Sequence, residues 1–200
     1  MNYLAHLLLS GNDEDVIFGN FIGDAIKGKQ YQDYSGSIQK GILLHRQIDT
    51  FTDSHPIYLQ SKRRFYKNYP KISGVITDIL YDHLLCLEWE KHTNEKLPLF
   101  IKRSYDYLDT RIHQMPPRIT PVYAHMRAHD WFSRYQTIEG TALSLMQIGK
   151  RMGFGSSVGD SVLEFKQNEA MFIEEFNIFF NEIKAFSKEF LGNYWFNGAS

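Results

Sequence analysis

The chain has a single cysteine, Cys86, in 200 residues. No intrachain disulfide can form, and a zinc site built on several thiolates is excluded. Such usage fits a reducing compartment, and a cytoplasmic protein is expected. Charge of either sign is in no excess: 22 Lys and Arg oppose 23 Asp and Glu, for a net charge of -1. The chain therefore lacks the overall basic field that marks nucleic-acid binders. Long hydrophobic runs are missing too. The apolar start from Met1 to Leu9 is short, carries His6 and has no basic residue ahead of it. Neither a signal peptide nor a membrane anchor is expected from it. Alternating β-branched runs are lacking, which argues against strands. Without a strand, no glycine-rich phosphate loop has a setting, and no Gly-x-Ser-x-Gly elbow occurs.

What is present is the material of one globular core. Hydrophobic residues make up 43% of the chain and aromatics 15%, enough to fill a core and to line a groove. The apolar spacing is helical almost throughout. It predicts an all-α, single-domain bundle of eight or nine helices over residues 1–192, with 193–200 as a loose tail whose Tyr194, Trp195 and Phe196 are available to dock. Helices are expected at about 2–10, 13–28, 37–53, 56–68, 72–92, 97–113, 120–130, 138–152 and 158–190. Their stops are Gly11, Gly28, Pro70, the Pro116-Pro117 pair and the Gly153 to Ser157 stretch.

The stretch from Gly41 to Asp53 carries the strongest chemical signal. His45, Asp49 and Asp53 follow at i, i+4 and i+8, within roughly an 80° arc of one helix. An imidazole and two carboxylates on one stripe suit a hard or borderline metal ion. Asp53 has a second reading, as the cap of a helix restarting near Pro56, and His55 is placed in an exposed loop. Asn20 and Asp24 share a face in the preceding helix. Gly19 and Gly23, also four apart, would let another helix come close. Asp82 sits among Ile79, Leu80, Leu84 and Leu85, where a lone carboxylate is costly, so a ligand or ion-paired role is expected. His83 is either a proton donor, a partner to a ligand, or a core histidine bonded to a backbone carbonyl. His6, four residues after Asn2, is a weak signal alone, and a satisfied core histidine is its commoner reading. His125 and His129, four apart, read as a metal pair or, with Asp130, as a surface helix, and the surface helix is the simpler reading. The cluster Lys62, Arg63, Arg64, Lys67 and Lys71, with Arg103, Arg111 and Arg118 as a wider rim, is either a solvated face or a docking surface for an acidic partner or a phosphate.

Several short motifs, taken in order, resemble the acyl carrier protein phosphodiesterases. They are Asn2-Tyr3-Leu4-Ala5-His6-Leu7, Gly19-Asn20 with Asp24, His45-Arg46-Gln47-Ile48-Asp49 with Thr52-Asp53, and Tyr81-Asp82-His83. Weaker matches follow at Pro116-Pro117-Arg118 and from Trp131 to Tyr135. The resemblance implies an all-α hydrolase with a distorted HD-domain-like core. It implies Mn²⁺, or another divalent cation such as Mg²⁺, and hydrolysis of holo-acyl carrier protein to the apo form and 4′-phosphopantetheine. It departs from the ordinary HD pattern: His45 and Asp49 are four apart, and the other pair is reversed as Asp82-His83. On this basis Asp24, His45, Asp49 and Asp82 are the expected metal ligands. His83 or His6 is the expected proton donor, and Arg46 or Arg64 the phosphate partner. Asn20, Asp53, Lys62, Arg63, Arg64 and Lys67 are expected around the docked acidic carrier protein, with no nucleic acid and no membrane as partner. Two alternatives stay open: an HD-like phosphohydrolase of nucleotides or small phosphodiesters, and a non-catalytic helical module that binds carrier protein.

Overall fold

A computed structural model describes residues 2–197, with side chains through Gly192. The described residues are helical, with no strand. Helix α1 (Tyr3–Leu9) is stopped at Gly11, whose φ of 72° is open to glycine at little cost. Asp13 then caps α2 (Glu14–Ile22), accepting from Asp15 N at 2.9 Å and Val16 N at 3.2 Å. Helix α3 (Gly36–Ser54) returns against α2, and Pro56 restarts the chain in the first turn of α4 (Pro56–Arg64).

The α2–α3 pair is the most extensive helix contact in the fold. Glycine makes it: a Cβ on Gly19 would lie 2.1 Å from Ile38 O, and one on Gly41 2.2 Å from Val16 O. Backbone meets backbone there, as the Gly19 and Gly23 spacing predicts. Helix α5 (Ser73–Leu87) runs through the interior with Ile76, Leu80, Tyr81, Leu84 and Leu85 fully buried. The short α6 (Trp89–His92) leads to α7 (Leu97–Thr110), α8 (Thr120–Ala128), α9 (Trp131–Arg134) and α10 (Ile138–Arg151). Helices α11 (Ser161–Gln167) and α12 (Glu169–Asn197) close the domain, α12 packing on α3 and α4. Phe172, Phe176, Phe179, Phe180 and Ile183 of α12 are fully buried, each contributing about 1.5–3 kcal/mol of hydrophobic stabilisation.

The described residues form twelve α-helices, not eight or nine. The expected helix at 72–92 breaks at Glu88, and the one at 158–190 breaks at Asn168, where φ is −125°. Neither break carries proline or glycine, and apolar residues continue on both sides, so the pattern conceals them. Helix α2 ends at Ile22 rather than near Gly28, tightening into a 3-10 turn, Gly23–Ala25. Helix α12 continues to Asn197, past the expected end at about 190. The docking of Tyr194, Trp195 and Phe196 lies outside the described side chains. Among the described residues, no helix is long and apolar enough to cross a membrane.

Candidate metal centre

Three helices bring two imidazoles and a carboxylate together. His6 comes from α1, His45 and Asp49 from α3, and Asn20 of α2 stands behind them. The His6 and His45 rings stack with centroids 4.3 Å apart. Gly23 permits this, since a Cβ there would lie 2.5 Å from His45 Cβ and Cγ. His6 Nε2 lies 3.2 Å from Asp49 Oδ1, and His45 Nε2 lies 3.2 Å from Asp49 Oδ2.

Asn20 fixes what these nitrogens can do. It is completely buried. Its Nδ2 donates to His6 O at 3.0 Å and to Ser10 Oγ at 2.8 Å. A carbonyl can only accept, so the amide nitrogen must face it and Oδ1 must face the rings. Oδ1 then accepts from both Nδ1 atoms, at 2.7 Å from His6 and 3.2 Å from His45. In the neutral rings both Nε2 atoms are left as acceptors, aimed at an acceptor carboxylate. Two acceptor nitrogens facing one carboxylate form a donor set that suits a cation. His6 Nε2 is buried and makes no hydrogen bond of ordinary geometry. All three ligand atoms lie within 4.8 Å of one another. Burial, and then the neighbouring His45, push the His6 imidazole down to about 4, so its lone pair is available at neutral pH.

A cavity of about 310 Å³ opens beside this group, lined by Asn2, Tyr3, His6, Asp24, His45, Asp49, Asp53 and Asp78. Four carboxylates gather in this cavity, with Arg118 beside Asp24 at its rim. The donors therefore fit a borderline divalent cation, held by His6 Nε2, His45 Nε2 and Asp49.

The structure brings together some of the expected residues and separates others. His45, Asp49 and Asp24 line the same cavity, Asp24 at its half-exposed rim, where Arg118 Nη2 lies 3.6 Å away. Asp53 lines it as well and belongs to α3, which runs on through Ser54. Helix α4 has no side-chain cap, so Asp53 does not cap it. Asp82 is elsewhere. Its carboxylate is fully buried and accepts from Leu4 N at 3.1 Å and Ala5 N at 3.2 Å, capping α1 from a distant helix. His83 sits in the core with Nδ1 donating to Tyr135 O at 2.7 Å, the backbone-bonded alternative, and does not line the cavity. His6, expected as a proton donor, stands beside His45 and Asp49 where Asp82 was expected. Arg46 points to the loop after α2, donating to Ile26 O at 2.8 Å. Arg64 is turned inward onto buried Glu175, with contacts of 2.5 and 2.6 Å. Asn20 is a buried positioning group, not a docking residue. His55 is buried between Phe51 and Phe179, and its Nε2 lies 3.0 Å from Glu182. Lys62 lies beside Gly74, while Arg63 and Lys67 are exposed on α4 and the turn after it.

Sequence reasoning gave no role to Tyr3 or Asp78. Tyr3 lies on the face of His6, three residues before it, and that spacing was the available signal. Burial, and then Asp24, raise its phenol to about 12, so it remains a hydrogen-bond donor at neutral pH. Asp78 accepts from Tyr58 Oη at 2.7 Å.

Comparison with known proteins follows the same direction. The chain is 29% identical to the acyl carrier protein phosphodiesterase of Photorhabdus laumondii, over 86% of its own length and 87% of that protein's. It is 27% identical to the Yersinia enterocolitica protein of that name, over 84% and 88%. With the Serratia proteamaculans protein of that name it shares 23% identity over 94% and 98%. No solved structure matches. The family described as acyl carrier protein phosphodiesterase matches residues 1–183, and the chain belongs to that family.

Proposed function

We propose that this protein is a divalent-metal-dependent phosphodiesterase that hydrolyses holo-acyl carrier protein to the apo form and 4′-phosphopantetheine. The observation that carries the metal dependence is the convergence of two Asn20-locked imidazoles on Asp49. The family carries the substrate. A cation at these atoms, with Mn²⁺ the expected one, would polarise a phosphoryl oxygen and make water a stronger nucleophile near neutral pH.

The chain's own groups supply the rest. Arg118, at the rim beside Asp24, is placed to pair a phosphate oxygen. Tyr3 keeps its proton and stands in the cavity wall. It is the group we assign to hydrogen-bond the phosphodiester and to protonate the departing serine oxygen. Asn20 holds both imidazoles in one tautomer throughout. His-His-Asp ligation within a helical domain also supports the distorted HD-like reading of the core. Exposed Arg63 and Lys67 remain the cations of α4 and its following turn that could meet an acidic carrier protein.

The test is the mass of the carrier. Incubation of holo-carrier protein with the enzyme and Mn²⁺ should remove the phosphopantetheine mass, and excess chelator should prevent it. A carrier whose mass is unchanged under Mn²⁺, with small phosphodiesters or nucleotides hydrolysed instead, would favour the other phosphohydrolase reading.

A further inference from the structure

A second depression lies outside the metal cavity, between α8 and α10. It encloses about 570 Å³, within the ~300–1,000 Å³ typical of small-molecule sites. Its walls are apolar, with Val122, Trp131 and Ile148 prominent, and His125, Lys150 and Arg151 supply its polar and cationic side. Trp131 is 3% exposed, and its Nε1–H is buried without a hydrogen-bond partner. An unmade hydrogen bond at a buried donor is costly, and an acceptor brought by a ligand removes that cost.

The groove lies on the Tyr3 side of the metal cavity. Helix α8, which supplies Val122 and His125, also carries Tyr123. The Tyr123 ring meets Phe21 edge-on at 5.6 Å, and Phe21 lies 5.2 Å from Tyr3 in the cavity wall. Arg151 at the groove and Arg118, just before α8, both act electrostatically on the Tyr3 hydroxyl. Helix α8 therefore carries the groove wall on one side and packs through Tyr123 and Phe21 toward Tyr3 on the other.

We propose that this groove receives the pantetheine arm of the substrate while its phosphodiester occupies the metal cavity. The inference rests on the phosphodiesterase reading above and extends it to a second subsite. The arm's chemistry matches the lining. Its gem-dimethyl carbon suits Val122 and Ile148, an amide carbonyl suits the unpaired Trp131 N–H, and its phosphate end lies toward Arg151 and Arg118. A bare hydrocarbon chain would leave the Trp131 donor unsatisfied.

Calorimetric titration of pantetheine, which has no phosphate to engage the metal cavity, tests the groove directly in the full chain. Wild type should bind it. Val122→Trp, which fills the groove from a partly exposed wall, should weaken binding about tenfold or more. Trp131→Phe, which keeps the ring and deletes the donor, should weaken it about threefold to tenfold. The KM for holo-carrier protein should rise in parallel, and circular dichroism melting of each variant checks that the fold is kept. No pantetheine binding by wild type, or unchanged affinity in both variants, would overturn the assignment. Pantetheine binding that both variants weaken, without release of phosphopantetheine from the carrier by wild type, would support the groove and count against the phosphodiesterase reading.

Discussion

Asn20 decides the chemistry of this site without lining its cavity. Its amide is oriented by the His6 carbonyl, and that orientation dictates the tautomer of two rings at once. Supporting groups of this kind typically change metal affinity by about 10–100-fold when removed. Asn20→Ala should therefore weaken Mn²⁺ binding by about that factor, measured by calorimetry, while His6, His45 and Asp49 all remain. Unchanged affinity would mean that the tautomers are set by something else. The residue-level reading from sequence reached His45 and Asp49 because helical spacing puts them on one stripe. His6 was reached through the Asn2 to Leu7 motif, but as a proton donor and not as a partner of His45 and Asp49. Its partners are 14 and 43 positions away, on α2 and α3, and no local pattern encodes such a meeting.

At the scale of the elements, α1 and α5 show how a correct physical premise led to a different role. A carboxylate among leucines does need a partner, but the partners of Asp82 are the Leu4 and Ala5 amides. The start of α1 lacks a local side-chain cap, since Asn2 Nδ2 donates to Tyr135 Oη at 3.0 Å instead. Asp82 takes over from 78 residues away. Burial raises its pKa from 3.8 to about 7, against the two amide hydrogen bonds. The folded state thus holds a proton that the unfolded chain gives up between those values, so the stability from this group is greatest below 3.8 and is lost as pH rises through 7. The stability difference between wild type and Asp82→Asn should shift toward wild type as pH falls from about 8 to 4, by up to about 1.4 kcal/mol per unit. Urea unfolding at several pH values reads it, and a flat difference would remove the claim. Arg64 teaches a similar lesson. In sequence it is one cation of a cluster, but α12 brings buried Glu175 against it, so it joins two helices instead of facing a partner.

At the scale of the molecule, the helical class was legible because the apolar period is helical nearly everywhere and the only strong stops are glycines and prolines. The α2–α3 pairing was legible in Gly19 and Gly23. The helix count was not, because Glu88 and Asn168 interrupt helices without a conspicuous breaker and the four-residue α9 starts separately after Asp130, where φ is 45°. The whole arrangement serves to hold α1, α2 and α3 so that two imidazoles and a carboxylate face one another beside an acid-lined cavity. Activity depends on that convergence holding a metal ion. The most direct test of this is to titrate Mn²⁺ into chelator-stripped protein, measuring bound metal and the release of 4′-phosphopantetheine from holo-carrier protein in the same samples. Release should rise in step with bound Mn²⁺ in wild type, and Asp49→Ala should neither retain the metal nor turn over. Full turnover by the stripped enzyme, or by Asp49→Ala, would contradict it.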